Sequence, residues 1–178
     1  MPLRRSEDPL SNQNGYEIEY KYLISYPDIC LLTAQEGCRV ADIEQIYLNL
    51  DPSMNSRVRS WEEHGIVHYY LTKKKRISAQ TAEEYETEIS KDEYDRLLIH
   101  TDLTRSPIKK TRYIIPYKGH DLEIDVYPFW KRQAVLEIEV SEENEAVDIP
   151  SYISVIKDVT ADKKYKNHSL AKVIPEEI

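Results

Sequence analysis

A single phenylalanine and two tryptophans stand beside fourteen tyrosines, so purely apolar rings are scarce while amphipathic ones are plentiful. Tyrosine favours strands and tolerates half-wet positions, which points to a β-rich fold with polar cavities. Only two cysteines occur, Cys30 and Cys38, without the CxxC or Cys/His spacing that zinc requires, and they read as reduced thiols. No apolar run approaches membrane-spanning length, and the polar stretch Met1–Asn14 has no apolar signal-peptide core. The expectation is a cytoplasmic protein with no membrane partner. A basic excess is missing as well: the net charge of -8 argues against a general nucleic-acid binder. Clustered Lys and Arg can still create a local positive field within such a chain.

The 178 residues suffice for one domain with a real core. Residues 1–14 lack periodicity and read as a disordered N-terminal tail, leaving 15–178 as a single domain. Period-two alternation predicts strands over 16–24, 44–50, 55–62, 66–75, 83–90, 108–117, 121–127 and 133–141. Glu63-His64-Gly65 and Lys118-Gly119-His120 read as tight turns. Helices are expected over 27–39, 91–100, 151–157 and 168–173, the second with Asp92 and Glu93 at its favourable end. Its Tyr94, Leu97 and Leu98 face reads most simply as a core contact. The fold class is therefore mainly β (α+β): an eight-stranded antiparallel β-barrel with a few flanking helices.

Charge is distributed unusually on single strand faces. Glu17, Glu19 and Lys21 share one; Arg57 and Arg59 another; then Glu84, Glu86 and Glu88; Lys110 and Arg112; Glu123 and Asp125; Glu137 and Glu139. The intervening positions are largely apolar, such as Ile18, Val58, Ile124 and Ile138. For any one strand the simpler reading is an amphipathic strand whose charges face water. Same-sign pairs two residues apart nevertheless repel when nothing lies between them. A divalent cation relieves the carboxylates, and a polyanion relieves the Lys and Arg. Both sets make sense if they face one interior that holds a metal and a phosphate chain, with Arg matching phosphate through its planar fork.

The motifs then resemble a known family, the CYTH domain or triphosphate tunnel metalloenzymes. They are Glu17-Ile-Glu19-Tyr-Lys21, Arg57-Val-Arg59, Leu71-Thr72-Lys73-Lys74, Glu84-Tyr85-Glu86, Lys110-Thr-Arg112-Tyr113, Glu123-Ile-Asp125-Val-Tyr127, Glu137-Ile-Glu139 and the stretch from Val159 to Ala171. The match runs from about Tyr16 to Lys172, and its elements come in the family's order.

The resemblance implies an eight-stranded tunnel that binds a triphosphate-containing small molecule with Mg2+ or Mn2+. Carried over by position, Glu17, Glu19 and Glu139 would hold a first metal, with Glu137 close by. Glu84, Glu86 and Asp125 would serve a second metal or the attacking water. Lys21, Arg57, Arg59, Lys74, Lys110 and Arg112 would line the phosphate path. Lys164 would reach in from the C-terminal stretch, and Tyr47 would approach Lys21. In the run Lys73-Lys74-Lys75-Arg76, parity with Thr72 selects Lys74 as inward. One departure stands out: the family's basic residue just before the Glu-Tyr-Glu strand is replaced by Thr81, Ala82 and Glu83.

The expected activity is metal-dependent hydrolysis of a triphosphate: inorganic tripolyphosphate, a nucleoside triphosphate or thiamine triphosphate. The alternatives are an adenylate cyclase, which the family includes, or a non-catalytic polyphosphate-binding module. A homodimer is compatible with all three.

Overall fold

Nine strands carry the structure, a computed structural model that describes residues 13–178. They are β1 (Gln13–Ser25), β2 (Arg39–Leu48), β3 (Asn55–Glu63), β4 (Ile66–Arg76), β5 (Thr81–Ile89), β6 (Ile108–Tyr117), β7 (His120–Val126), β8 (Gln133–Glu139) and β9 (Val155–Asp158). Their order is β5-β4-β3-β2-β6-β7-β8-β1-β9, and every pairing is antiparallel. The first half of β1 pairs with β5, from Gln13 opposite Glu86 to Ile18 opposite Thr81. Its second half pairs with β8, from Glu19 opposite Glu139 to Ser25 opposite Gln133. That division closes eight strands into a barrel without a free edge. The predicted fold class therefore holds.

Two tight connections set the neighbouring registers. His64 and Gly65 both adopt positive φ between β3 and β4, as do Lys118 and Gly119 between β6 and β7. Paired positive φ values give a turn whose twist suits antiparallel strands.

The barrel reverses the usual hydrophobic pattern, because much of its apolar surface faces outward and is covered there. Tyr113, Ile115, Leu122, Ile124, Leu136 and Ile138 pack with Leu32 of α1 (Ile29–Thr33) and with Val140 and Ile153 of the chain after β8. Asp28 accepts a hydrogen bond from the Leu31 amide and so caps α1. On another side α2 (Lys91–Leu97) is capped by Ser90 and places Tyr94 against Leu48, Val58 and Ile89. That agrees with the core contact expected of this helix.

At one end the inward stripe turns apolar. Leu23, Tyr47, Ile108, Tyr127 and Val135 meet Val159, Tyr165 and Leu170, which closes this end with the C-terminal part of the chain. Leu170 lies in α3 (Asn167–Leu170), which replaces the helix expected over 168–173.

Three elements differ from the sequence-based expectations. The helix expected over 27–39 spans only Ile29–Thr33, because Gly37 takes a positive φ and β2 already begins at Arg39. Residues 151–157, expected as a helix, instead lead into β9, which adds to β1 beside Tyr22–Ile24. Gln13 and Asn14, expected in the tail, open β1; the rest of that tail lies outside the described residues. Among the described residues, no helix is long and apolar enough to cross a membrane.

Candidate functional site

Strand parity carries the charged stripes into the barrel, and the ladder aligns them. Glu19 stands opposite Glu139 and Lys21 opposite Glu137. Arg57 stands between Tyr47 and Thr72, Thr72 opposite Glu86, and Lys74 opposite Glu84. Arg112 faces Asp125, and Glu123 faces Glu137. Glu19, Lys21, Glu84, Lys110, Arg112, Asp125 and Glu137 are all buried, with Asp125 completely enclosed. Charges withdrawn from water this far are tolerable only when they are paired and hydrogen-bonded.

The pairing is uneven. On one wall Arg112 donates to Asp125 at 2.7 Å and to Glu137 at 2.6 Å, and also holds Glu123. Lys110 holds the same Asp125, and Lys21 reaches Glu137 at 2.5 Å. On the facing wall Arg59 pairs with Glu86 at 2.7 Å, and the Thr72 hydroxyl donates to that carboxylate at 2.7 Å. The remaining contacts are looser. Lys74 holds Glu17 but stays 3.3 Å from Glu84, and Arg57 approaches Glu84 only to 4.0 Å. Glu19 has Arg76 at 3.8 Å and Lys166 at 3.4 Å. The buried Nε atoms of Arg57 and Arg59 have no hydrogen-bond partner, nor does Glu84 Oε2, whose ion-pair contact with Lys74 is off hydrogen-bond geometry.

These environments drive neighbouring carboxylates in opposite directions. Burial works to raise the Glu137 carboxyl, but Lys21, Arg112 and Lys110 outweigh it and hold the group well below the usual range. Glu17 is pushed up to about 8 by burial, against Lys74 and with the help of Glu19 and Glu84. Glu139 is exposed at the rim, so solvent screens it in part. Even so, the surrounding protein and the carboxylates of Glu123, Glu84 and Glu19 push it up to about 7. Lys110 goes the other way, lowered to about 8 by burial and by the Arg112 guanidinium.

The residues expected to form the site thus share one interior. Glu17, Glu19, Lys21, Arg57, Arg59, Lys74, Glu84, Glu86, Lys110, Arg112, Asp125, Glu137 and Glu139 all lie on the inward face or its rim. Tyr47 is tied to Arg57 and accepts a hydrogen bond from Gln45 at 3.1 Å, with Lys21 among the charges acting on its phenol. Lys164 is a correction. Its side chain is exposed, because the 3-10 turn over Lys163–Tyr165 turns Tyr165 into the core. Lys166 reaches inward instead, to Glu19. Arg76, which the motifs do not include, shares the inward parity of Lys74 and stands across the ladder from Ala82. Its guanidinium lies 3.8 Å from Glu19.

Among the described residues no group of three or more His, Cys, Asp or Glu side chains is arranged as a metal site. The carboxylates near Glu17 and Glu139 instead repel one another or lean on tunnel cations.

No protein-family model matches the chain, and no curated protein gives a significant match. Solved structures do match. The inorganic triphosphatase NE1496 is 29% identical over 90% of this chain and 97% of its own, with a TM-score of 0.54. The PH1819 protein from Pyrococcus horikoshii OT3 is 25% identical over 72% of this chain and 80% of its own, with a TM-score of 0.56. A protein from Pyrococcus furiosus, 22% identical over the same shares with a TM-score of 0.55, has the same fold.

Proposed function

We propose that this chain, which matches the CYTH or triphosphate tunnel proteins in structure, hydrolyses a triphosphate inside its barrel with the help of a divalent cation. The observation that carries the proposal is the pair of half-buried arginines, Arg57 and Arg59, whose buried Nε atoms have no hydrogen-bond partner in a closed, inward-charged barrel. A buried N–H without an acceptor costs about 1–3 kcal/mol, so it favours a ligand that brings oxygens. A triphosphate supplies them in a row, and Arg57, Arg59, Lys74 and Lys21 line the path that would receive them. The relative NE1496 is itself described as an inorganic triphosphatase, which supports the same class of substrate.

The donor set suits Mg2+ or Mn2+. Glu17, Glu19, Glu84 and Glu139 offer only oxygen, and burial together with their mutual repulsion raises the pKa of Glu17 and Glu139. These four would hold the cation, and Glu86, Asp125 and Glu137 would complete the acidic surroundings. Bound there, the cation would neutralise phosphate charge and make water a stronger nucleophile. The chain's own residues do the rest. Arg57, Arg59 and Lys74 hold the phosphates in line and draw charge from their oxygens. Lys21, fixed by Glu137, keeps an ammonium beside the reacting end. Lys110, held by Asp125, lies on the wall beside Arg112 and adds positive charge to the tunnel.

Product analysis with ATP or tripolyphosphate and Mg2+ tests this reading. Hydrolysis gives free phosphate with ADP or pyrophosphate. Cyclic AMP and pyrophosphate from ATP would replace it with the cyclase reading, and tight binding without any product would leave a binding module.

A further inference from the structure

The inward face of the barrel is not charged throughout. Ala41 and Ile43 of β2, Trp61 of β3, Tyr70 of β4 and Ile114 of β6 form an apolar patch, with Trp61 9% and Tyr70 5% exposed. Arg59 stands directly opposite Tyr70 in the ladder and two residues before Trp61 on β3. Strand parity puts these three side chains on one face. The Arg59 guanidinium carbon lies over both rings, 5.4 Å from the centre of Trp61 and 5.5 Å from that of Tyr70. The ring quadrupole attracts a cation at this range, and more strongly where water is excluded.

The guanidinium is tied at one end as well. Its Nη2 donates to both Glu86 oxygens, at 2.8 Å and 2.7 Å. The Thr72 hydroxyl donates to the same carboxylate and fixes its orientation. Burial works to raise the Glu86 carboxyl, but Arg59 and Arg57 outweigh it and hold the group below its usual range. What remains is Nε, buried and without an acceptor. A free arginine loses rotamer freedom when it captures a ligand, whereas a side chain already held by two rings and a carboxylate has lost it on folding.

Trp61 is anchored in turn. Its Nε1 donates to Glu63 Oε2 at 3.2 Å, and Arg39 donates to both Glu63 oxygens at 2.7 Å. The contacts therefore run without a break from Arg39 at the start of β2, through Glu63 and Trp61, to Arg59 and Glu86.

We infer that Trp61 and Tyr70 are positioning residues, whose rings hold the Arg59 guanidinium ready to meet a phosphate oxygen through Nε. They act through Arg59 rather than on the substrate. The inference rests on the triphosphatase reading for the phosphate, but not for the ordering of Arg59.

Two measurements on the full chain test it. The first is hydrolysis of tripolyphosphate with Mg2+ by the wild type, Trp61→Leu, Arg59→Ala and the double variant, each shown to be folded by its thermal melt. Trp61→Leu is expected to raise KM about fivefold or more, with a much smaller change in kcat, and to add nothing once Arg59 is gone. Trp61→Phe, which keeps an aromatic face, is expected to recover most of the loss. An equal rise in KM in both backgrounds would make Trp61 a packing residue only and overturn the inference. Tyr70→Leu takes the place of Trp61→Leu in the cycle if the latter does not fold.

The second measurement needs no substrate. The Arg59 Nε–Hε NMR resonance, assigned by its loss in Arg59→Lys, is expected to be displaced by the two rings. It should move towards the free-arginine position in Trp61→Leu and in Tyr70→Leu. A resonance that stays in place in both variants overturns the inference whatever the turnover. If it moves as expected but the wild type releases no phosphate, the hydrolase reading fails and the ordering of Arg59 stands, with the same cycle then read on the Kd for tripolyphosphate.

Discussion

Lys21 on β1 and Glu137 on β8 stand in direct register, and Lys21 Nζ lies 2.5 Å from Glu137 Oε1 with the side chains only 3% and 10% exposed. The pair joins the N-terminal motif to the last barrel strand. Removing Lys21 leaves Arg112 alone to balance the buried Glu137 carboxylate, and the loss costs up to about 3 kcal/mol. Lys21→Met should therefore lower the urea midpoint clearly. Lys21→Met combined with Glu137→Gln should recover part of the loss, because the buried carboxylate that Lys21 balanced is then gone. A strictly additive double variant would show that the two side chains are not coupled.

Arg57 and Arg59 separate stability from binding. Arg59 is tied to Glu86 at 2.7 Å, whereas Arg57 reaches Glu84 only at 4.0 Å. Arg59→Ala should destabilise the fold by about 3 kcal/mol through the abandoned Glu86, and Arg57→Ala by less. Both should raise KM for tripolyphosphate about tenfold or more, the worth of one charge-assisted phosphate contact. Thermal melts together with steady-state kinetics on the two variants check this.

The pH dependence of stability has a defined sign. Glu17 is raised from 4.5 to about 8 in the folded chain, by burial first and against the pull of Lys74. The folded state therefore binds more protons than the unfolded one between those values, and stability falls as pH rises through that window. Without divalent cations, the melting temperature should drop between pH 5 and pH 8. Mg2+ or Mn2+ should flatten the profile, because a bound cation replaces the proton. Melts at pH 5, 6.5 and 8, with and without the metal, measure both effects.

Lys166 and Lys164 provide a test of the C-terminal segment. Lys166 approaches Glu19 within 3.4 Å, while Lys164 is exposed. Lys166→Ala should reduce kcat/KM for tripolyphosphate, and Lys164→Ala should leave it at the wild-type level. The reverse result would put the wrong lysine in the tunnel.

The same lysines show where sequence reading runs out. Parity along a strand is rigid, so Lys74 could be chosen from Lys73-Lys74-Lys75-Arg76 by counting from Thr72, and the structure places it against Glu17 and Glu84. The same count placed Glu17, Glu19 and Lys21 on one face, because a one-residue slip would have exposed every apolar neighbour. No such period governs Val159–Ala171. A 3-10 turn over Lys163–Tyr165 redirects the chain and selects Lys166 instead. β9 differs from the expected helix for a related reason. A four-residue strand with every residue exposed carries no alternation, and its conformation comes from pairing with Tyr22–Ile24. Arg76 is legible by the same counting that selects Lys74.

The most direct test of the central claim is phosphate release from tripolyphosphate by the purified chain with Mg2+ or Mn2+, with and without EDTA. The account predicts release that EDTA abolishes and that Glu19→Gln reduces by at least a hundredfold while the protein stays folded. A folded wild-type protein that releases no phosphate under either metal would contradict it.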